Sequence, residues 1–163
     1  MQNKDQVTYI NILNDTLKKK EENLRALTKA TETQTALLDA PELDIEAFNK
    51  TVDEKDELLV RLEELDTGFM SLYEKVKESL LTDAASYADQ IAQTQELVKT
   101  QTELSAALQA AEERNRAKLA LHMSRGRQRV RDFNVNSKTA AAYYKNMSGK
   151  HRDGESYFFN RKK

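Results

Sequence analysis

The stretch Ile45-Glu-Ala-Phe48-Asn-Lys-Thr-Val52-Asp-Glu-Lys55-Asp-Glu-Leu58-Leu59-Val-Arg-Leu62-Glu-Glu-Leu65-Asp-Thr-Gly68-Phe69 decides the fold. Its apolar residues return every three or four positions, and the stripe runs on through Leu72, Val76 and Leu80. That stripe, in which Lys55 also falls, turns one face of a long helix toward a core and leaves the remaining Asp, Glu and Lys positions for water. Asp44 is placed to cap it, with Glu46 in the first turn where an acidic group suits the helix dipole. The spacing predicts a helix over residues 44–81. Gly68, inside it, costs about 1 kcal/mol relative to Ala. It marks a close helix crossing, a slight bend, or tolerance on a long helix.

Upstream, a 3,4 stripe passes through Ile10, Leu13, Leu17, Lys20, Leu24, Leu27, Thr31, Gln34 and Leu38, which predicts a helix over 4–39. Lys20 fits if its stem covers apolar surface while its ammonium reaches water. The threonines between Thr28 and Thr35 lose χ1 freedom in a helix and should loosen its end. Pro41 closes it by pushing the preceding residue out of the α region. Downstream, Thr82 or Asp83 can cap a third helix, whose stripe runs through Tyr87, Ile91, Thr94, Val98, Gln101, Leu104, Leu108, Ala111, Asn115 and Leu119. Its pattern continues to Arg131, giving a helix over 83–131.

Two short connections force antiparallel neighbours, so the expected fold is all-α, an up-down-up three-helix bundle or coiled coil with a long third helix. The first two helices, about 36 residues each, are roughly 55 Å long. A third helix starting at Asp83 draws level with the end of the bundle near residue 120, and the remainder overhangs. Residues 1–133 form the expected helical domain. Residues 134–163 form a basic tail with isolated aromatics and no sustained period, expected to be flexible.

Composition excludes much else. Among 163 residues there are four glycines, one proline and no cysteine. The glycines are scattered, so no phosphate-binding loop or dinucleotide fingerprint forms. Neither a disulfide framework nor a thiolate metal site is available. The longest run without a charged side chain is nine residues, Gln6 to Asn14, far short of the roughly 20 that span a bilayer. Met1-Gln-Asn-Lys-Asp leads into no apolar segment of a signal peptide. A soluble, cytoplasmic protein is expected.

The net charge of −1 conceals an uneven distribution. Residues 1–111 carry 12 Lys+Arg against 22 Asp+Glu, a net of −10, whereas residues 112–163 carry 14 against 5, a net of +9. Such polarity marks a segment that meets a partner or folds back on the acidic part.

Catalytic chemistry finds little support. The carboxylate pairs Glu21-Glu22, Glu63-Glu64 and Glu112-Glu113 fall on polar helix faces among lysines, with nothing nearby to bury them and raise a pKa. An inward Glu-x-x-His metal motif is missing, because neither His122 nor His151 follows a glutamate by three. His122 reads as a surface or partner-facing side chain, and no cofactor is implied. Ser124-Arg-Gly-Arg-Gln-Arg-Val-Arg131 and Asn160-Arg-Lys-Lys163 hold the ingredients of a nucleic-acid contact. The acidic remainder repels that backbone, so docking to an acidic protein surface is preferred and no nucleic-acid partner is expected. No amphipathic helix with bulky apolar residues suits the tail for a membrane. What remains is recognition by the third helix: Leu119, Leu121, Met123, Val130 and Phe133 stand exposed unless a second chain, a homodimer partner or a folded-back tail covers them.

Leu43-Asp-Ile-Glu-Ala-Phe-Asn-Lys-Thr-Val-Asp-Glu-Lys-Asp-Glu-Leu-Leu59, Leu62-Glu-Glu-Leu-Asp-Thr-Gly-Phe-Met-Ser-Leu-Tyr-Glu-Lys-Val76 and Leu108-Gln-Ala-Ala-Glu-Glu-Arg-Asn-Arg-Ala-Lys-Leu119 together resemble the FlgN-type flagellar export chaperones over roughly residues 5–145. The resemblance implies a cytoplasmic, non-enzymatic protein that keeps hook-filament junction (hook-associated) subunits soluble and delivers them to the flagellar type III export gate. It places client binding on the C-terminal helical region, here Leu104, Leu108, Ala111, Asn115, Leu119, Met123, Val130 and Phe133. The family often ends in a Tyr near a Pro-Asp-Gly motif. Here Tyr143-Tyr144-Lys-Asn-Met-Ser-Gly149 has no proline, and Tyr143 and Tyr144 are the candidates for docking at the gate. Two alternatives stay open: a FliT-type chaperone for a different flagellar client, and a structural or adaptor coiled coil that self-associates through its third helix.

Overall fold

The computed structural model of the chain describes residues 4–125. These form α1 (Lys4–Asp39), α2 (Ile45–Thr82), a 3-10 turn (Ala84–Tyr87) and α3 (Ala88–Arg125). Among the described residues there is no strand, and no helix is long and apolar enough to cross a membrane.

The first two helices follow the expected bounds to within a residue. Asp44 has an extended backbone (φ −75°, ψ 95°) and its carboxylate accepts from the Ala47 N–H at 3.1 Å, which satisfies one of the free donors of the first turn of α2. The threonines of α1 do not fray it. Thr28 and Thr33 donate to the carbonyl four residues back at 2.8 and 3.1 Å, and the hydroxyls of Thr31 and Thr35, 2.8 and 3.0 Å from theirs, can donate either there or across to α3. Gly68 meets no close crossing: a Cβ built there finds nothing within 4 Å, and α2 continues through it.

The third helix starts later than its sequence suggests. The Asp83 N–H donates to the Ser79 carbonyl at 2.9 Å, closing α2. Its carboxylate accepts from the Ser86 hydroxyl at 2.8 Å and caps no N–H of a following helix. A 3-10 turn therefore occupies Ala84–Tyr87, and the buried Tyr87 ring plugs that end of the bundle. Of the predicted helix over 83–131, residues 126–131 lie outside the described part, as does the tail 134–163.

The topology is up-down-up. Antiparallel α1 and α2 meet at Gln6 with Ser79 near one end and at Gln34 with Lys55 toward the other. Parallel α1 and α3 meet at Asn14 with Gln90 and, far along, at Leu38 with His122. α1 packs closely along both other helices, whereas the backbones of α2 and α3 stay farther apart.

The core forms three apolar clusters along the bundle. Ile10, Leu13, Leu17, Phe69, Val76 and Tyr87 lead the first, Leu24, Leu27, Leu59, Leu62 and Leu108 form the second, and Leu38, Phe48, Val52 and Leu119 the third. Each fully buried Leu or Phe side chain contributes roughly 1.5–3 kcal/mol by leaving water.

Polar layers separate these clusters. Lys20 does not send its ammonium to water as its place in the stripe suggested. It is buried, and its Nζ pairs with Asp66 of α2 at 2.8 Å. Asn23, a turn further on, is buried with neither amide atom bonded among the described residues.

Candidate functional site

α3 carries the residues assigned to binding, and its inward stripe is more polar than that of α2. Ile91, Val98, Leu108 and Leu119 alternate with Thr94, Gln101 and Asn115, all buried. α2 buries seven apolar residues and only Thr51 and Lys55 besides. Burying an amide or hydroxyl is tolerable only with a partner, so each polar residue of α3 must find one on α1.

The Asn14 amide donates to the Gln90 carbonyl at 3.2 Å and to Gln93 Oε1 at 3.3 Å, and the Thr94 hydroxyl donates to Asn14 Oδ1. Gln101 Nε2 donates to the Leu17 carbonyl at 2.6 Å. Asn115 accepts from the Thr35 hydroxyl at 2.9 Å and donates to the Thr31 carbonyl at 3.3 Å. At the end of α1, Lys118 pairs with Asp39 at 2.6 Å, and His122 Nε2 sits 2.8 Å from the Leu38 carbonyl. His122 is thus half-buried and attached to α1, not a free surface group; its ring N–H can satisfy one of the unpaired carbonyls that end that helix.

One contact joins all three helices. Lys55 of α2 pairs with Glu112 of α3 and donates to Gln34 Oε1 of α1 at 3.0 Å, while Glu112 also accepts from the Thr31 hydroxyl at 3.3 Å. Burial pulls the Lys55 ammonium from its usual 10.5 down to about 7, with Asp56 opposing the shift. Glu112 is therefore no solvated half of a surface pair; its side chain is 14% exposed. Lys55 stood in the apolar stripe of the second helix and Glu112 one residue from the stripe of the third, so their offset positions were visible in the sequence. Their pairing needed the register of α2 on α3.

The predicted binding residues divide by depth. Leu108, Asn115 and Leu119 lie inside the bundle. Leu104 is half-buried against the Leu24–Leu62 cluster, Ala111 is half-buried, and Met123 packs on the third cluster beside Leu43 and Ile45. The expectation that Leu119 and Met123 overhang is corrected. Because the 3-10 turn delays α3 and α1 runs parallel to it, the two helices draw level only at His122, and the α1–α2 connection covers this end. Leu121 is 64% exposed, as expected. Val130, Phe133, Tyr143 and Tyr144 lie outside the described residues.

Two flanks of α3 follow from these contacts. Leu104 and Ala111, one heptad apart, continue to Lys118, which reaches Asp39 of α1. Glu112, Arg116 and Leu119 instead line a cleft with Phe48 of α2. Among the described residues no group of three or more His, Asp or Glu is placed to hold a metal ion.

Neither a curated protein nor a solved structure matches the chain. The model of the FlgN protein family matches residues 1–147; the chain belongs to that family, whose members are flagellar export chaperones.

Proposed function

We propose that the chain binds a flagellar hook-associated protein through α3 and its continuation, keeps it soluble in the cytoplasm, and hands it to the export gate. The observation that carries this reading is the chemistry of the α1–α3 seam in a FlgN-family chain. α3 buries only four apolar residues, and between them it is held by hydrogen bonds that water or another helix can replace, at a net worth of only about 1 kcal/mol each. Leu108, Asn115 and Leu119 anchor the helix on the bundle. Leu104, Ala111 and Met123, half-buried at its flanks, offer apolar surface to an amphipathic client helix, with Val130 and Phe133 prolonging it. Tyr143 and Tyr144 are the groups proposed to meet the gate.

Titrating full-length chain with a peptide of a hook-associated client's terminal helix tests this. Leu104→Glu with Ala111→Glu should weaken binding at least tenfold while the circular dichroism stays helical. Undiminished binding by that folded variant sinks the proposed face. Tyr143→Ala with Tyr144→Ala should leave client affinity unchanged and reduce secretion. Light scattering addresses self-association, since a stable dimer indifferent to client favours the adaptor reading.

A further inference from the structure

A cleft opens between α2 and α3 because both lean on α1, and it lies at the end of the bundle that holds the α1–α2 connection. It is narrow, with room for little more than water, and buried Phe48 and Leu119 line its floor beside Gln34, Glu112, Asn115 and Arg116. Half-buried Leu43, Ile45 and Met123 extend that apolar surface outward. Its rim on α2 is acidic. Residues 39–66 carry 11 Asp+Glu against three Lys+Arg, a net of −8, and one of those three, Lys55, is already taken inside by Glu112. Asp53, Glu54 and Glu57 are all exposed. The crowding is felt by Asp56, whose carboxyl is raised by burial and then by Asp53.

The described part of α3 stops at this same end. His122 is bound at the Leu38 carbonyl and Met123 packs beside Leu43 and Ile45. Residues 126–163 follow, with ten Lys+Arg against three Asp+Glu, a net of +7, and with Phe133, Tyr143, Tyr144, Tyr157, Phe158 and Phe159 between the charges. The charge of this segment nearly cancels that of residues 39–66. Reach is sufficient: a coil of this length spans on the order of 35 Å, against roughly 20 Å for the acidic first turns of α2. Tethering so close gives an effective concentration on the order of millimolar, which makes weak complementary contacts add up.

We infer that residues 126–163 dock back on their own bundle, aromatic side chains against half-buried Leu43, Ile45 and Met123 at the mouth of the α2–α3 cleft, basic side chains along the α1–α2 connection and the first turns of α2 between Glu42 and Glu57. The contact lies on the α2 flank, apart from Leu104 and Ala111, but it engages Met123, Phe133, Tyr143 and Tyr144, which the proposed function also uses, so docking competes with client and gate; its test needs no client.

The chain has no cysteine, so Ser156→Cys accepts a single nitroxide spin label. In full-length 15N-labelled protein at low ionic strength, amide signals between Ile45 and Glu57 should lose more than half their intensity. They should recover in about 0.5 M salt, where screening acts within a few ångströms. Adding Asp53→Lys, Glu54→Lys and Glu57→Lys should restore them at low salt, with helicity unchanged. Absent or uniform broadening overturns the proposal, as does broadening that survives charge reversal. A mixture of spin-labelled unenriched chain with unlabelled 15N chain completes the test. Broadening in that mixture assigns the contact to a second copy and also overturns it.

Discussion

α2 and α3 share the same partner, α1, and are held to it by different chemistry. α2 buries Phe48, Val52, Leu59, Leu62, Phe69, Val76 and Leu80; α3 covers a similar length with four apolar residues and a ladder of amides and hydroxyls. Apolar contacts gain from exclusion of water whatever the orientation, while hydrogen bonds exchange for bonds to water at little net gain and demand one register. The bundle is thus an α1–α2 hairpin fixed by burial, carrying a third helix that is specified more than it is stabilised. That suits a chaperone whose third helix is the proposed working surface.

The sharpest way to break the comparison is at Lys55, where the two halves are tied. Glu112→Leu leaves a buried ammonium without its counter-charge and should cost about 3–5 kcal/mol, whereas Lys55→Met combined with Glu112→Leu should be neutral or stabilising. Urea midpoints of the single and double variants decide this, and a single variant within about 1 kcal/mol of the parent breaks the tie. Next in size, Leu62→Ala on α2 should cost about 3 kcal/mol through lost burial and a cavity. Asn115→Ala on α3 should cost only about 1–2 kcal/mol, since it removes the bonds to the Thr35 hydroxyl and the Thr31 carbonyl but little apolar surface, and Thr35 keeps the Thr31 carbonyl as a partner. Equal losses in urea melts erase the proposed difference between the seams.

A smaller effect is a slope with pH. Below about pH 7 Lys55 holds its proton in folded and unfolded chains alike, so it adds no slope. Between there and 10.5 the unfolded chain keeps a proton that the folded chain has released. Stability therefore rises with pH through that window, by up to about 1.4 kcal/mol per unit, and the gain is lost as pH falls back through about 7. Lys55→Met should flatten that part of the profile in urea melts from pH 6 to 10. Smallest of all, Gly68→Ala should stabilise α2 by about 1 kcal/mol, because its Cβ enters open space on an established helix. A lower thermal midpoint reveals a contact at Gly68 that the open surroundings do not suggest.

The proposed binding residues came from two sources. Periodicity put Leu104 and Ala111 in the stripe of the third helix and the family resemblance gave them to the client; both are half-buried, and Leu121 is exposed, as expected. Leu119 and Met123 misled because helix lengths counted from Asp83 ignored the 3-10 turn and could not show that Leu43 and Ile45 of the α1–α2 connection pack over this end. His122 and Glu112 misled for a related reason. A polar residue looks solvated in sequence until the partner that satisfies it, the Leu38 carbonyl or Lys55, is brought across from another helix.

By itself the sequence determined three helices, their seams at Asp39–Asp44 and Thr82–Asp83, and their order, because periodicity, capping and helix breakers act over a few residues. It also carried the separation of an acidic body from a basic C-terminal segment. Only the tertiary structure decided that Lys20 and Lys55 lie inside, that α1 and α3 meet through amides, and that α2 and α3 stand apart with a cleft between them. Those outcomes depend on which side chains face one another across helices, between 21 and 84 residues apart in the chain, a register set by packing the whole bundle at once.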